Sequence, residues 1–486
     1  MTKAFQEPFV LVIFGGSGDL AYQKIYPALY DIAEKGLLPS TKYAIVATGR
    51  RYTQGEFEGF FQHSLTSDNR HHKHEVKGEK FKELVKHIHF YQGDNTKPAF
   101  YEGLAKYLDE LVAQGLPCGN RVFYVAVPQD LYSTVFTNME KAGLNKSPCG
   151  WTRVVVEKPI GQDLKSAKKV DTLIRLAFSE DQIFRLDHYL GKETLENILT
   201  FRFKNRIFED LLNNQHLDHI QITAAENFPI FKRGKFYDAT GALKDVGQNH
   251  LLQMLAIATM EEPKGDTDKA IVAARLNLLK KVSIKPSDVV FGQYTEGTVN
   301  GQKTTSYRKE ENVGADSQTD TFFSLKLAVN NKRFKGVPIY MRSGKNMEQW
   351  LTEINYVFKS ENLGDNVLTI RVQPNEGIAL KLLTKKPGYE TKLEPTYMQF
   401  CYKHFFPGES FDAYEKLLQD MFAGRHTFFN TSREVEELWR IIDPISKKRS
   451  KVTFYESGSW GPKEAFALIE KDGRKWLEPY HAFCQI

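Results

Sequence analysis

Residues 9–14 (FVLVIF) are an unbroken apolar run that stops at Gly15-Gly16. Continuous apolarity without alternation predicts a strand buried on both faces, as in a parallel sheet, and the glycines predict a tight turn out of it. A helix is predicted next, with Asp19 near its start, Leu20, Leu29 and Ile32 at helical spacing, and Gly36 as its stop. Residues 43–48 (YAIVAT) predict the following strand, completing a βαβ unit. Further strands are predicted at 88–91, 121–127 (RVFYVAV) and 152–156. Strands alternating with helical stretches predict a doubly wound parallel sheet over about the first 180 residues.

The texture then changes. Period-2 stretches at 219–223, 322–327, 355–358 and 366–372 predict a large antiparallel sheet. Helical patterns at about 190–205, 241–260, 411–422 and 432–441 would cover one face of it, which makes an α+β second domain. No internal repeat or low-complexity segment is visible. Residues 68–80, with His71, His72 and His74 among lysines and glutamates, read as a solvated insertion rather than a metal site.

Composition narrows the class. In 486 residues, 41% hydrophobic and 26% charged, no run approaches the roughly 18 apolar residues of a membrane span. The N-terminus lacks a signal-peptide pattern, so a cytoplasmic location is expected. A formal charge of +6 is small for this length. It argues against a nucleic-acid coat and suits anionic metabolites. Cys118, Cys149, Cys401 and Cys484 are too scattered for a disulfide framework or zinc cluster and are expected to be reduced.

Three clusters carry candidate chemistry. The turn Gly15-Gly16-Ser17-Gly18-Asp19-Leu20 joins a buried strand to a helix. There, small residues let a pyrophosphate approach the backbone N–H groups. Glycines are also ordinary turn formers, and it is the flanking strand and helix that point to a dinucleotide. The second strand ends in Gly49-Arg50-Arg51, without the acidic residue that usually binds the ribose of NAD. Two guanidiniums suit a 2′-phosphate, so NADP is favoured, with NAD as the alternative; solvated surface arginines are the bland reading. Arg185 to Lys192 packs Asp187, His188, Tyr189 and Lys192 into six positions. If Lys192 begins a helix or follows a tight turn, the last three could converge as donors on one phosphate or carboxylate while Asp187 faces elsewhere. Asp245 and His250 open an apolar helix, where a near-neutral imidazole suits removal of a hydroxyl proton.

The ordered motifs GGSGDLA, EKPIG, RLDHYLGK, QNHLLQ, YMRSGK, RVQPNEG, DAYEKLL and YESGSWGP resemble those of glucose-6-phosphate dehydrogenases over essentially the whole chain. The resemblance implies an N-terminal Rossmann NADP-binding domain (1–183) and a β+α domain with a large, mostly antiparallel sheet (184–486). The second domain would bind substrate and form a homodimer or homotetramer. The implied activity is NADP-dependent oxidation of glucose 6-phosphate to 6-phosphogluconolactone, first step of the oxidative pentose phosphate pathway. A related oxidoreductase of another phosphorylated or acidic sugar is the alternative. Carried over, His250 is the base and Asp187 its carboxylate partner. His188, Tyr189 and Lys192 take the phosphate, while Lys24, Lys158, Glu226, Asp245, Lys345 and Gln373 surround the sugar. Gly15, Ser17, Gly18, Asp19, Leu20, Arg50, Arg51 and Lys158 hold the cofactor, and no metal is needed. One departure stands out: Trp350 occupies a position that is usually basic in the family and helps bind the phosphate, with Lys235 as a possible replacement cation.

Overall fold

The computed structural model describes residues 5–39, 42–67, 76, 78–116, 119–360, 365–408, 411–448 and 450–484. His71, His72 and His74 lie outside the described residues. In chain order the strands are β1 (Phe9–Phe14), β2 (Tyr43–Gly49), β3 (Ile88–Gln92), β4 (Asn120–Val125), β5 (Thr152–Glu157) and β6 (Ile183–Leu186). There follow β7 (Leu217–Ala225), β8 (Val282–Val299), β9 (Gln302–Thr304), β10 (Phe322–Val329), β11 (Ile339–Gly344) and β12 (Leu351–Phe358). The last are β13 (Val367–Gln373), β14 (Gly377–Lys385), β15 (Leu393–Cys401), β16 (Phe429–Asn430) and β17 (Thr453–Ser457).

The chain forms two compact units, Met1–Gly191 with Phe411–Val435, and Lys192–Ser410 with Glu436–Ile486. The sequence division at 183/184 differs from this. β6 pairs in parallel with β5, so the first unit continues past 183, and β16 returns to pair antiparallel with β6.

The first unit carries a seven-stranded sheet, β16-β6-β5-β4-β1-β2-β3, parallel except for β16. Every residue of β1 and β4 is buried, the mark of strands covered on both faces. The returning segment is fixed by charge as well as by the ladder. Arg185 is buried and pairs with Asp171 at 2.5 Å and Glu180 at 2.8 Å, while Ser432 donates to Asp171 at 2.7 Å. Such an ion pair is tolerated in the interior because both Asp171 oxygens and both terminal nitrogens of the guanidinium find partners. Helix Ala413–Ala423 starts at Asp412, which accepts from the Tyr414 N–H at 2.8 Å, and ends at Gly424 with φ 74°, a side-chain cap at one end and a left-handed glycine at the other.

The second unit carries a ten-stranded sheet, β15-β14-β13-β12-β7-β11-β10-β8-β17, with β9 paired to β8. Only β7 with β11 and β8 with β17 run parallel. Helices Glu193–Lys204 and Leu252–Thr259 lie in the same unit, and buried Arg202 of the first donates to the Ile257 carbonyl at 2.9 Å and pairs with Glu209 at 3.0 Å. The C-terminal stretch brings Trp476 within 4.2 Å of the Arg342 guanidinium and Phe483 within 4.3 Å of that of Arg371. Contrary to the expectation of reduced thiols, Cys401 and Cys484 are joined in a disulfide with Cα atoms 5.6 Å apart, and Cys149 is also disulfide-bonded. Spacing along the chain could not reveal a bridge that the sheet brings together from positions 83 residues apart. Among the described residues no helix is long and apolar enough to cross a membrane.

Candidate active site

In the first unit the glycine turn packs too closely against the protein for side chains at Gly15 or Gly16. Gly15 has φ 78°, and a Cβ there would lie 2.5 Å from the Ala126 carbonyl oxygen. At Gly16 a Cβ would lie 2.7 Å from that of Ala47. Gly16 donates to the Thr48 carbonyl at 2.9 Å and Gly18 to that of Gly15 at 2.9 Å, so the turn is fixed against β2 before the helix starts. Ser17 and Gly18 are partly exposed, and Asp19 is exposed and accepts from Gln23 at 2.6 Å. Leu20 precedes the helical residues Ala21–Ile25, which include half-buried Lys24. Closely approached, glycine-lined backbone at a helix N-terminus fits a pyrophosphate. Arg50 and Arg51 follow β2 and are both exposed; the Arg50 carbonyl accepts from Gln92 at 3.2 Å.

At the end of β5, Glu157 precedes half-buried Lys158. The Glu157 carboxylate accepts from Tyr124 at 2.5 Å and from Tyr414 at 3.4 Å. Burial pushes its pKa up to about 7, opposed by these hydrogen bonds and the Lys158 charge, with a further upward push from Asp187. β6 leads into buried Asp187, which accepts from the Tyr189 N–H at 3.0 Å and whose carbonyl accepts from Leu190 at 3.0 Å. This tight turn presents His188, whose ring lies 5.1 Å from that of Tyr189 and is stacked 6.2 Å from that of Tyr414. Gly191 permits the turn: a Cβ there would lie 2.7 Å from the Ala413 carbonyl oxygen.

In the second unit Lys192 occupies the N-cap position of helix Glu193–Lys204. Glu226 follows β7 and donates its N–H to the Gly344 carbonyl at 2.9 Å; Lys345 follows β11 and donates its N–H to the Thr321 carbonyl at 2.9 Å. The parallel pairing of β7 with β11 brings these ends together, and the two side chains form an ion pair. Phe228 and Tyr237 place their rings 5.5 and 5.6 Å from the Lys345 ammonium. Asp245 and His250 are both buried on Leu243–Leu251, wound with π-helical turns and continuing into Leu252–Thr259. π-Helical turns inside a helix frequently occur at functional sites. Asp320 anchors the start of these turns, accepting from the Leu243 N–H at 2.7 Å. Gln373 closes β13 and is half-buried.

The structure thus joins Glu226 to Lys345 and sets Asp187, His188 and Tyr189 in one turn, whereas Arg50 and Arg51 are exposed just past the end of β2. Trp350 is 39% exposed just before β12, so it is not a core residue, and Lys235 is exposed. Two residues escaped sequence reasoning: Glu157, visible only as the residue before Lys158, and Tyr237, hidden among the aromatics of residues 233–238.

Comparison with known proteins agrees with this architecture. The family profile described as glucose-6-phosphate dehydrogenase, NAD binding domain, matches residues 12–197, and that of the C-terminal domain matches residues 199–477. The chain is 35% identical to the glucose-6-phosphate 1-dehydrogenase of Bacillus subtilis, over 98% of this chain and 99% of the relative. It is likewise 35% identical to that of Chlamydia muridarum, over 96% of each. A solved glucose-6-phosphate dehydrogenase in complex with its substrate glucose-6-phosphate superposes with a TM-score of 0.89 at 30% identity, covering 98% of this chain and all of the other.

Proposed function

The chain belongs to the glucose-6-phosphate dehydrogenase family, and we propose that it oxidises glucose 6-phosphate to 6-phosphogluconolactone with NADP as the preferred cofactor. The observation that carries this reading is the Glu226–Lys345 pair at adjoining strand ends, in the same unit as the buried Asp245 and His250. A sugar with several hydroxyls needs such alternating donors and acceptors, whereas a packing helix does not.

In the proposed reaction the His250 imidazole takes the proton of the anomeric hydroxyl, and Asp187 serves as the carboxylate that orients it and stabilises its imidazolium. His188, Tyr189 and Lys192 hold the phosphate. Lys24, Lys158, Glu226, Asp245, Lys345 and Gln373 orient the ring so that the anomeric hydrogen faces the cofactor. Gly15, Ser17, Gly18, Asp19 and Leu20 hold the dinucleotide, together with Lys158. Arg50 and Arg51 bind the 2′-phosphate. When bound, the nicotinamide supplies hydride acceptance. The functional unit is a homodimer or homotetramer; exposed Tyr397 and Met398 on edge strand β15 support further pairing there.

Reduction of NADP and of NAD by purified protein, followed spectrophotometrically with sugars with and without phosphate, tests the reading. Turnover should require the phosphate and favour glucose 6-phosphate. Preference for another sugar acid or phosphate would overturn it.

A further inference from the structure

Tyr237 lies on helix Gly234–Ala242, is 1% exposed, and its hydroxyl has no hydrogen-bond partner in the protein. Neighbouring phenols are satisfied: Tyr294 donates to Glu310 at 2.9 Å, Tyr307 to Asp238 at 2.9 Å, and Tyr455 to the Lys345 carbonyl at 2.7 Å. An unsatisfied buried hydroxyl costs free energy that a phenylalanine would not, and in a native structure it calls for an explanation.

Its surroundings supply one. The Tyr237 ring lies 5.6 Å from the Lys345 ammonium, which is ion-paired with Glu226. Burial raises the phenol pKa well above its ordinary value, and the negative charges of Asp245, Asp320 and Glu226 add to this, Asp245 most. The hydroxyl therefore keeps its proton throughout the working pH range and offers a donor.

We propose that the Tyr237 hydroxyl is a further substrate-binding group, donating a hydrogen bond to a ring hydroxyl of the sugar whose own O–H donates in turn to one of the nearby carboxylates. A sugar hydroxyl both accepts and donates, which matches one phenol beside carboxylates; an inorganic anion would accept from the phenol but be repelled by the carboxylates. This rests on the reading of the chain as a sugar-phosphate dehydrogenase.

Tyr237→Phe removes one oxygen and tests the assignment. Its melting temperature should equal or exceed that of the wild type. KM for glucose 6-phosphate should rise roughly fivefold to thirtyfold, with a smaller change in kcat. Against the 2-, 3- and 4-deoxy analogues, wild type should discriminate most strongly against one, and the variant should lose that discrimination, a non-additivity that a packing role would not produce. Unchanged KM and unchanged discrimination in a folded variant would overturn the proposal. So would failure of both Tyr237→Phe and Tyr237→Met to fold, which would make the hydroxyl structural. Wild-type turnover is measured alongside: its absence with glucose 6-phosphate defeats the functional reading, whereas an unchanged KM and unchanged discrimination in Tyr237→Phe defeat only the assignment of the tyrosine.

Discussion

The phenol of Tyr124 and the carboxylate of Glu157 share a hydrogen bond of 2.5 Å between neighbouring strands β4 and β5. The other groups facing Glu157 are Lys158, Asp187, Tyr414 and Tyr132, the last bonded to its backbone. Burial dominates, and the folded pKa of about 7 lies above the ordinary 4.5. The folded state therefore keeps a proton that the unfolded chain has released. The contribution of Glu157 to stability is greatest below about pH 4.5 and is lost as pH rises to about 7. Glu157→Gln should remove this dependence, so its stability relative to wild type should grow across that window by up to about 3 kcal/mol. Urea unfolding at several pH values measures it; a pH-independent difference would mean that Glu157 titrates at its ordinary value.

His250→Asn should lower kcat by roughly a thousandfold or more while KM moves only a few-fold, because a base acts mainly in the transition state. Asp187→Asn should impair turnover less. Steady-state kinetics decides, and near-normal kcat in the histidine variant would reassign the base.

Replacing Arg50 and Arg51 together with neutral residues should cost NADP far more than NAD. Each charge-assisted contact to a 2′-phosphate contributes roughly 1.5–3 kcal/mol, and NAD lacks that group. Both side chains are exposed, so solvent screening places the loss at the low end. Equal losses in kcat/KM for the two cofactors would remove them from cofactor choice.

Trp350, being 39% exposed, should tolerate substitution. Trp350→Ala and Trp350→Arg are expected to fold with melting temperatures near that of the wild type, and Trp350→Arg to lower KM for glucose 6-phosphate about tenfold by adding a phosphate contact. If Lys235 already fills that role, the new charge would repel it and KM would rise instead.

The doubly wound half was legible because its strands are mostly apolar: residues 9–14, 43–48, 88–91 and 152–156 were expected within a residue of where β1, β2, β3 and β5 occur. β6 and β16 were not. Four residues and two residues carry no periodicity, and their pairing joins positions far apart in sequence. In the second unit β15 is exposed along most of its length and β8 is interrupted by exposed Lys285, Pro286 and Ser287, so neither shows a clean buried-and-exposed alternation. Glu226 and Lys345 were expected near the sugar through the resemblance alone, whereas their contact depends on the parallel register of β7 and β11, which no local pattern encodes. Tyr237 and Glu157 gain their interest from burial, a property of the folded chain.

Between Cys401 and Cys484 the polypeptide is a closed covalent ring, and residues 411–435 lie inside it. Those residues supply the first unit with the strand that covers β6, with Tyr414 against Glu157, and with the Met421 and Phe422 carbonyls that accept from Arg153 at 2.8 and 2.6 Å. A fragment ending at Gly191 would leave that edge bare and those donors without acceptors. The two units are therefore not separable modules of inheritance: neither could be transplanted as a contiguous stretch of gene. Proteolysis at a single bond within the ring would open it yet leave one molecule, its two pieces joined through the Cys401–Cys484 disulfide.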